Sequence, residues 1–479
     1  MKRYIYIMAG LLTVGISGCK KDFLDLAVNP NTPSVTTPQF TVAGALKVAS
    51  DIVNINYPHY GVWAGQLSPS GNYVPSPTLQ QYQFTTDNFQ VFQPLYSNLT
   101  NFNNLETISA DASLAKFKAI AKIMKAYDFE QLVDNYNNVP YTDAFKASTS
   151  FFPKYDKGVD IYADLIKQLD AAVALIDGNA SAISPDVSDI VFKGDMAKWK
   201  RFALTLKLRL AIRSKTKVTL PAAGDSYMGT IQAVTQPGYA NSDAVGGQQS
   251  PFWRSFGFDQ NGNPTGNNAY YRANAFEVSL LKNTNDPRLS KFYAPITGGS
   301  VVGIIFGDDA AIPNAGTSAI GTGLLKSATQ DGVLMSAAEA YFLQAEGVQN
   351  GYITGDAQDL YQKGIAASFV AVGLSSADAA TYYGQAKNNV SWAASTNKEE
   401  AIITQKWISL TGYGSLESYN ELRRTGFPSG VPRSIDSKAI GTGLPTRIFY
   451  PTSEYQQNAD NVGKEGTINP FGSKIFWAK

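Results

Sequence analysis

The sequence contains few of the side chains that commonly carry out covalent chemistry. Its 479 residues include one histidine, His59, and one cysteine, Cys19. A structural zinc site, a disulfide framework or a Cys/His nucleophilic pair backed by further histidines therefore cannot be assembled within one copy. A Ser-His-Asp triad would have to use His59, and the Gly-x-Ser-x-Gly turn is absent. The composition thus argues against most kinds of catalytic centre.

Glycoside hydrolysis is an exception, because it needs only two carboxylates that face a cleft. Glu339 and Glu346 are seven residues apart and would lie on one face of a helix. Carboxylates in such positions are more often solvated or paired with a cation. A surface glycoside hydrolase therefore stays an alternative and is not the main interpretation.

Phosphate-binding and metal-binding loops are incomplete or absent in the sequence. There is no Gly-x-x-x-x-Gly-Lys-Ser/Thr run, and Gly321 and Gly323 lack the third glycine and the following helix of a dinucleotide site. Residues 259–263 resemble the first half of a calcium loop, but Pro264 and Tyr270 stand where that loop needs glycine and glutamate. We predict an Asn/Gly turn, no metal and no cofactor, although another kind of calcium site in these loops stays open.

Aromatic and amide side chains in loop-like sequence are the best candidates for a functional site. Sugars present apolar C–H faces edged by hydroxyls, so flat aromatic rings flanked by hydrogen-bonding groups suit an oligosaccharide. Two clusters have this composition: Tyr60, Trp63, Asn72, Tyr73 and Tyr82 after the first predicted helix, and Trp253, Arg254, Asn267, Asn268, Tyr270 and Tyr271 in a middle loop. Trp199 and Trp407 lie in apolar helical patterns and are predicted to be in the core.

The charge balance excludes one class of partner. Apolar residues make up 44% of the chain, which is enough for a sizeable core. Lys plus Arg is 40 and Asp plus Glu is 39, so the formal charge of +1 provides no basic field for a polyphosphate. We predict no nucleic-acid partner. Charged residues are only 16%, whereas Tyr and Phe number 26 and 25, so the surface should be neutral, polar and aromatic.

The N-terminus has the pattern of a bacterial lipoprotein signal. A basic start is followed by an apolar stretch from Tyr4 to Ile16, which is too short to span a bilayer. The stretch ends in Ile16-Ser17-Gly18-Cys19, which resembles a lipobox, in which the cysteine thiol receives the lipid. We predict a signal peptide over residues 1–18, a lipid anchor on Cys19 and a polar, proline-rich tether over residues 19–38; an ordinary secretory signal is the alternative.

The rest of the chain is predicted to be mainly α-helical. Apolar residues recur at spacings of three and four in four segments, at residues 39–55, 114–135, 159–176 and 195–214. In contrast, residues 221–275 and 295–327 are rich in Gly, Pro, Asn and Ser and are predicted to be long loops.

Helix pairs are the predicted unit of this body. Residues 337–349, Gly351 and residues 356–372 form a helix–turn–helix unit of about tetratricopeptide length. Similar pairs are predicted around residues 114–176 and 398–424. The fold class is therefore predicted as mainly α, with a single helical domain over residues 39–479 built on tetratricopeptide-like helix pairs with long loop-rich insertions.

Seven segments resemble, in order along the chain, elements of the SusD/RagB family of outer-membrane nutrient-binding lipoproteins, in particular its SusD-like branch. They include Asn29-Pro30-Asn31, Leu132-Val133-Asp134-Asn135-Tyr136-Asn137-Asn138-Val139-Pro140-Tyr141, Trp199-Lys200-Arg201-Phe202 with Leu206-Lys207-Leu208-Arg209-Leu210-Ala211, and Asp286-Pro287-Arg288. They continue with Ala338-Glu339-Ala340-Tyr341-Phe342-Leu343-Gln344-Ala345-Glu346, with Lys406-Trp407-Ile408 and Arg423-Arg424-Thr425-Gly426-Phe427-Pro428, and with Arg447-Ile448-Phe449-Tyr450-Pro451. Asn137 stands where the family often has glycine.

The resemblance implies a cell-surface lipoprotein that is not an enzyme and that covers a SusC-like TonB-dependent transporter in the outer membrane. It implies capture of a nutrient, an oligosaccharide in many members and an oligopeptide in others. The matched segments lie in predicted structural helices, so they do not identify the ligand. A structural module that binds the transporter but no small molecule is a further alternative.

Overall fold

A computed structural model describes residues 36–479 except 147–148, 243 and 245–247. The predicted signal peptide, Cys19 and most of the predicted tether lie outside the described residues. The last tether residues lead directly into the first helix, where Thr37 accepts a hydrogen bond from the backbone N–H of Phe40 and Pro38 is the first helical residue. Both residue types favour a helix start, because the hydroxyl satisfies a free N–H and the proline ring fixes φ.

The described chain is mainly α-helical, as predicted. Its helices are α1 (Pro38–Ile55), α2 (Pro58–Trp63), α3 (Phe92–Ile108), α4 (Ala115–Tyr136), α5 (Gly158–Gly178), α6 (Met196–Ser214), α7 (Pro251–Phe256), α8 (Gly266–Tyr270), α9 (Ala275–Asn283), α10 (Leu289–Phe292), α11 (Ala337–Gln349), α12 (Ala357–Ala371), α13 (Ser376–Tyr383), α14 (Lys398–Ser409), α15 (Ser415–Thr425), α16 (Thr452–Gln457) and α17 (Ala459–Gly463). Its strands are β1 (Leu67–Pro69), β2 (Val139–Pro140), β3 (Tyr155–Asp156), β4 (Ala233–Thr235), β5 (Tyr271–Ala273) and β6 (Gly332–Met335).

Side chains at the helix termini explain several of these boundaries. Asp195 and Ser336 accept hydrogen bonds from the backbone N–H groups of the third residue of α6 and α11, respectively. Ser375 and Asp378 form a reciprocal capping box at the start of α13. Helix α15 ends at Gly426, whose φ of 82° is left-handed and suits glycine. Local chemistry of this kind is what fixes where a helix begins and ends.

The short strands fasten loops to the helical body. They form three two-stranded antiparallel sheets that pair β1 with β5, β2 with β3 and β4 with β6. In the first sheet Ser68 lies opposite Arg272. The predicted long loop over residues 221–275 therefore contains β4, α7, α8 and β5. These elements were not predicted because each is six residues or shorter, and such segments depend on tertiary contacts for their stability.

Consecutive helices pack as pairs, as the periodicity predicts. The three predicted pairs, α4 with α5, α11 with α12, and α14 with α15, pack against each other, and so do α3 with α4 and α5 with α6. The predicted unit at residues 337–372 matches α11 and α12 closely, and Gly351 in its turn has a φ of 67°.

Helix α3 was not predicted; its sequence is rich in Asn, Gln, Ser and Thr, which gives a weak apolar pattern. Asn137, after α4, has a φ of 68°, which explains why glycine also suits that position.

The α11–α12 pair has a core of its own in which a glycine permits close approach. Buried residues of α11, α12, α13 and α14 form a cluster separate from the main core, with Phe342, Tyr361 and Phe369 among its members. A Cβ atom on Gly364 of α12 would lie 2.7 Å from the Phe342 ring. Because Phe342 is fully buried and real Cβ atoms do not approach this closely, the ring would have to move.

Replacing Gly364 with alanine should therefore lower the free energy of unfolding by about 1 to 2 kcal/mol, since the clash outweighs the helix-propensity gain. The matched control is Gly44→Ala in α1, where no heavy atom lies within 4 Å of the added Cβ. That variant should be more stable by about 0.5 to 1 kcal/mol. Denaturant unfolding of both variants measures the two effects. If both substitutions change the free energy of unfolding in the same direction, the proposed packing is contradicted.

Within the described residues, no helix is both long enough and apolar enough to cross a bilayer.

Candidate functional site

The second predicted aromatic cluster and part of the first come together on one surface of the protein. Tyr73 is 46% exposed, and its ring lies 5.2 Å from that of Tyr270, centroid to centroid, in an edge-to-face arrangement. Tyr270 in turn packs edge-to-face on Tyr271, at 5.0 Å. The contact exists because β1 pairs with β5, which places the loop after β1 beside the end of α8. An exposed ring on a partly buried one is an arrangement that can stack on a ligand.

Asn314 links the polar residues of this surface through hydrogen bonds. Its side-chain oxygen accepts hydrogen bonds from the Ser70 hydroxyl at 2.5 Å and from Nε of Arg272 at 3.1 Å, and its amide donates to the Ala269 carbonyl at 3.0 Å. Gly71 adds to the close fit, since a Cβ there would lie 2.7 Å from the backbone of residues 310 and 312. The two loops and β5 are therefore fixed relative to one another. We call the residues Ser70, Asn72, Tyr73, Tyr270, Arg272 and Asn314 the tyrosine surface.

The remaining residues of the second cluster lie next to this surface and are mostly engaged in structure. Asn267 donates to the Ser255 hydroxyl at 3.0 Å, and Arg254 pairs with Asp51 of α1 at 3.5 Å. Trp253 is partly buried and packs on Phe258, with ring centroids 5.5 Å apart. Asn72 is exposed beside Tyr73, and its backbone N–H donates to the Ser70 hydroxyl. Asn72, Tyr73 and Tyr270 are thus the predicted residues that the structure assembles with outward-facing groups.

Three aromatic residues of the first cluster lie in the core, so the expectation that they form a platform is corrected. Trp63, Tyr82 and Tyr60 are at most 1% exposed. Trp63 donates to the Leu79 carbonyl, Tyr60 donates to Asn135, and the Tyr82 hydroxyl accepts from the backbone of Ser434. Because these rings pack on one another and on Tyr419, they present no face to a ligand.

His59 belongs to the same buried aromatic cluster. It is 2% exposed, and its ring stacks on Phe89 at 4.3 Å. Burial, with a smaller effect of Arg423, lowers the pKa of His59 to about 3, so the imidazole is neutral at physiological pH. This histidine is a packing residue.

Three residues of the tyrosine surface were missed in the sequence: Ser70, Arg272 and Asn314. Arg272 lies between aromatic and small residues of β5, and its partner Asn314 follows 42 residues later. A signal was present, since Arg272 directly follows the predicted Tyr270 and Tyr271.

A separate cleft of about 850 Å³ lies between α11 and α12 on one side and β6 and the α14–α15 turn on the other. Small and apolar residues of α12, among them Ala366, Ala367 and Val370, line one wall. Charged residues Arg209, Glu339 and Glu417 lie among its lining residues. None of the predicted ligand-binding residues lines this cleft, so it is a second candidate site.

Two carboxylates in and near the cleft, Glu339 and Glu346, are paired with buried cations. Glu339 accepts from Arg209 at 3.0 Å, and Glu346 pairs with Arg424 at 2.7 Å. Glu339 is 3% exposed and Glu346 is fully buried. These are the two carboxylates considered for a glycoside hydrolase. Their side chains hold helices together, which leaves neither one free to face a substrate.

The Asp259 segment forms the predicted turn. Asp259 accepts hydrogen bonds from the backbone of Asn261 and Asn263 and from the Asn263 side chain. These hydrogen bonds lower the pKa of the Asp259 carboxyl below its ordinary value. Among the residues that the structure describes, no group of three or more His, Cys, Asp or Glu side chains could hold a metal ion.

Comparison with known proteins identifies the relatives of this chain. A SusD-like family model, described as "Starch-binding associating with outer membrane", matches residues 30–451. No curated protein matches the chain.

Several solved structures are similar in fold. A SusD homologue from Bacteroides fragilis superposes with a TM-score of 0.75 at 22% identity and covers 92% of this chain and 99% of its own. A chitin-binding SusD homologue from Flavobacterium johnsoniae has a TM-score of 0.71 at 24% identity, with 91% and 98% covered. A SusD-like protein from Bacteroides thetaiotaomicron gives the same values. Since the identities are below 25%, these similarities establish the fold alone.

Proposed function

The chain belongs to the SusD-like family, whose members are associated with the outer membrane, and we propose that it captures an oligosaccharide at the cell surface and passes it to a SusC-like TonB-dependent transporter. In this proposal Cys19 carries the lipid anchor, the tether spans from the membrane to the folded body, and the protein faces the exterior. The protein performs no covalent chemistry on its ligand.

The observation that carries the proposal is the exposed Tyr73 ring on the tyrosine surface. Tyr73 is 46% exposed to solvent although its ring packs edge-to-face against that of Tyr270. Exposed aromatic rings with a fixed support favour stacking on the apolar face of a pyranose, and Asn72 is placed to hydrogen-bond hydroxyls at the ring edge. The pairing of Glu339 and Glu346 with arginines supports binding without hydrolysis.

The experiment is calorimetric titration of the full-length chain in detergent with panels of oligosaccharides and oligopeptides. Removal of the Tyr73 ring by Tyr73→Ala should weaken glycan binding about tenfold, since a stacking contact of this type contributes roughly 1 to 2 kcal/mol. Tyr455→Ala is the control, because Tyr455 on α16 is similarly exposed, at 38%, and lies outside the tyrosine surface. Equal affinities of the two variants would reject this surface as the glycan site.

Oligopeptide capture is the second candidate function, and the cleft beside α12 favours it. The lining combines apolar walls with the oppositely charged Lys326 and Asp331, whose charges would meet the ends of a short peptide. Peptide binding that Tyr73→Ala leaves unchanged would support this candidate. A glycan that is cleaved during the titration would instead support the glycoside hydrolase.

A further inference from the structure

Arg272 is buried in the tyrosine surface without a counterion. The residue is 7% exposed, and the side chain of Asn314 accepts a hydrogen bond from its Nε at 3.1 Å. Among the described residues, the terminal nitrogens of Arg272 have no hydrogen-bond partner, and no carboxylate lies within 4.0 Å of its guanidinium. Asp308 and Asp309 lie in the neighbouring loop, but neither reaches it.

The other buried arginines that the structure describes each engage a partner through at least one terminal nitrogen. Arg209, Arg213, Arg288 and Arg424 each contact a carboxylate. Arg423 and Arg447 donate to backbone carbonyls instead. Arg272 therefore differs from them in kind. The terminal nitrogens of its guanidinium, a planar fork of donors suited to an anion, remain available.

An unpaired buried cation is costly unless something else compensates it. Burial lowers the pKa of Arg272 below its ordinary value, and the nearby Tyr73 hydroxyl only partly offsets that effect. Tyr73 lies in the loop that the β1–β5 pairing places beside β5, and its ring contacts that of Tyr270, two residues before Arg272. An anion bound to the terminal nitrogens would therefore lie on the same surface as the exposed Tyr73 ring. Such positions are where a ligand supplies the missing charge.

We propose that the tyrosine surface binds an anionic oligosaccharide, with a carboxylate or sulfate of the sugar on the Arg272 guanidinium and the pyranose ring against Tyr73. This inference rests on the proposed function, since it specifies the class of oligosaccharide bound at that surface. Asn314 and Ser70 act by positioning Arg272, because Asn314 holds Nε and leaves both terminal nitrogens to the ligand.

The test compares ligands that differ only in charge. The full-length chain in detergent is titrated with short oligogalacturonate, oligoglucuronate and oligomannuronate and with their methyl esters. It is also titrated with a sulfated galactan oligomer and its desulfated form. At least one charged ligand should bind about tenfold or more tightly than its neutral partner, and added salt should reduce that preference. The uronate ligands test binding of a sugar carboxylate, and the sulfated galactan tests binding of a sugar sulfate.

Two variants test whether Arg272 causes the preference for charged ligands. Arg272→Gln should bind charged and neutral partners equally, whereas Arg272→Lys should keep part of the preference, because it retains the charge and loses the fork. Thermal unfolding and binding of the neutral partner establish that each variant is folded. A preference that survives in Arg272→Gln would overturn the inference.

The remaining outcomes separate the inference from the proposed function. Glycan binding without any preference for charged ligands would overturn the inference and leave the proposed function intact. Absence of binding to every glycan would overturn both. Arg272-dependent binding of acidic peptides alone would also overturn both, because the anion would then be carried by a peptide.

Discussion

Replacing Arg213 with leucine is expected to destabilise the protein by about 3 to 5 kcal/mol, the usual cost of removing one partner from a buried ion pair. Arg213 is 1% exposed and contacts Asp134 at 2.5 Å, Glu130 at 3.1 Å and Glu417 at 2.5 Å. All three carboxylates would lose a cation, and the fully buried Asp134 and Glu130 could not replace it with water. Denaturant unfolding at neutral pH measures the effect.

The network around Arg213 makes the loss large. Arg209 pairs with both Glu130 and Glu339, and Lys406 and Arg424 both pair with Glu421. These contacts join α4, α6, α11, α14 and α15 through side chains that are almost fully buried. Neighbouring cations hold the pKa of Glu417 down to about 2, and that of Glu421 is lower still. The charges thus depend on one another, and one deletion affects several pairs.

The matched control is Lys200→Met, on the same helix. Lys200 pairs with Asp177 at 2.7 Å, but the two side chains are 37% and 53% exposed. An exposed pair of this kind contributes between about 0 and 1 kcal/mol, so the variant should unfold almost as the wild type does. If Arg213→Leu costs no more than Lys200→Met, the buried network does not stabilise the fold.

This network also explains why the sequence segments that resemble the family predicted the fold and not the ligand. Their charged residues, including Asp134, Arg209, Glu346 and Arg424, converge inside the protein. The helical periodicity of these segments predicted the helices correctly. The burial of their charges could not be predicted, because Arg213 and its partner Glu417 are 204 residues apart. A local pattern gives only the position of a charge around its own helix.

The candidate site was likewise predicted only in part. Tyr73 and Tyr270 were predicted because aromatic and amide residues are adjacent in loop-like sequence. Trp63 has equally polar neighbours in sequence, yet its helix α2 packs against α15, and the ring is buried beside Tyr419. The composition around a residue therefore indicates that it lies in a loop. Whether its side chain is exposed depends on which distant element packs over it. The position of Arg272 beside β1 and the loop that follows it depends on the β1–β5 pairing, which no local sequence pattern predicted.

The stability of the protein should depend on pH through Asp128, a buried carboxyl group that pairs with no cation among the described residues. Asp128 on α4 is 1% exposed, and Asn98 of α3 donates to it at 2.9 Å. Burial raises the pKa of Asp128 to about 8, and the hydrogen bond from Asn98 offsets only part of that rise. Among the described residues no lysine or arginine forms an ion pair with it. Asp128 is therefore largely protonated in the folded protein at neutral pH.

The unfilled hydrogen-bonding capacity of the pair agrees with a protonated Asp128. Among the described residues, Oδ1 of Asp128 and Oδ1 of Asn98 both have no hydrogen-bond partner. A proton on the carboxyl provides a donor, whereas the ionised form would leave two buried acceptors unsatisfied. The fold thus favours the neutral acid, which asparagine resembles in size and polarity.

Asp128→Asn should consequently gain stability relative to the wild type as the pH rises. A folded-state pKa above the unfolded value means that the stabilising effect of the proton is complete below about pH 4 and is lost as the pH rises through 8. The free energy of unfolding of the variant minus that of the wild type should therefore increase by about 1.4 kcal/mol per pH unit within this window. Glu277, whose pKa burial also raises to about 8, contributes equally to both proteins and cancels in the difference.

Denaturant unfolding of both proteins at several pH values between about 4 and 8 tests this expectation. Asp111→Asn is the control, because hydrogen bonds from Ser113 lower the pKa of that exposed carboxyl. Its removal should give a difference that stays constant between about pH 4 and 8, since a lowered pKa contributes stability that is already complete above the unfolded value of about 4. A constant difference for Asp128→Asn across the window would mean that Asp128 is ionised in the folded protein. In that case an unrecognised cation, and not the proton, would have to balance its charge.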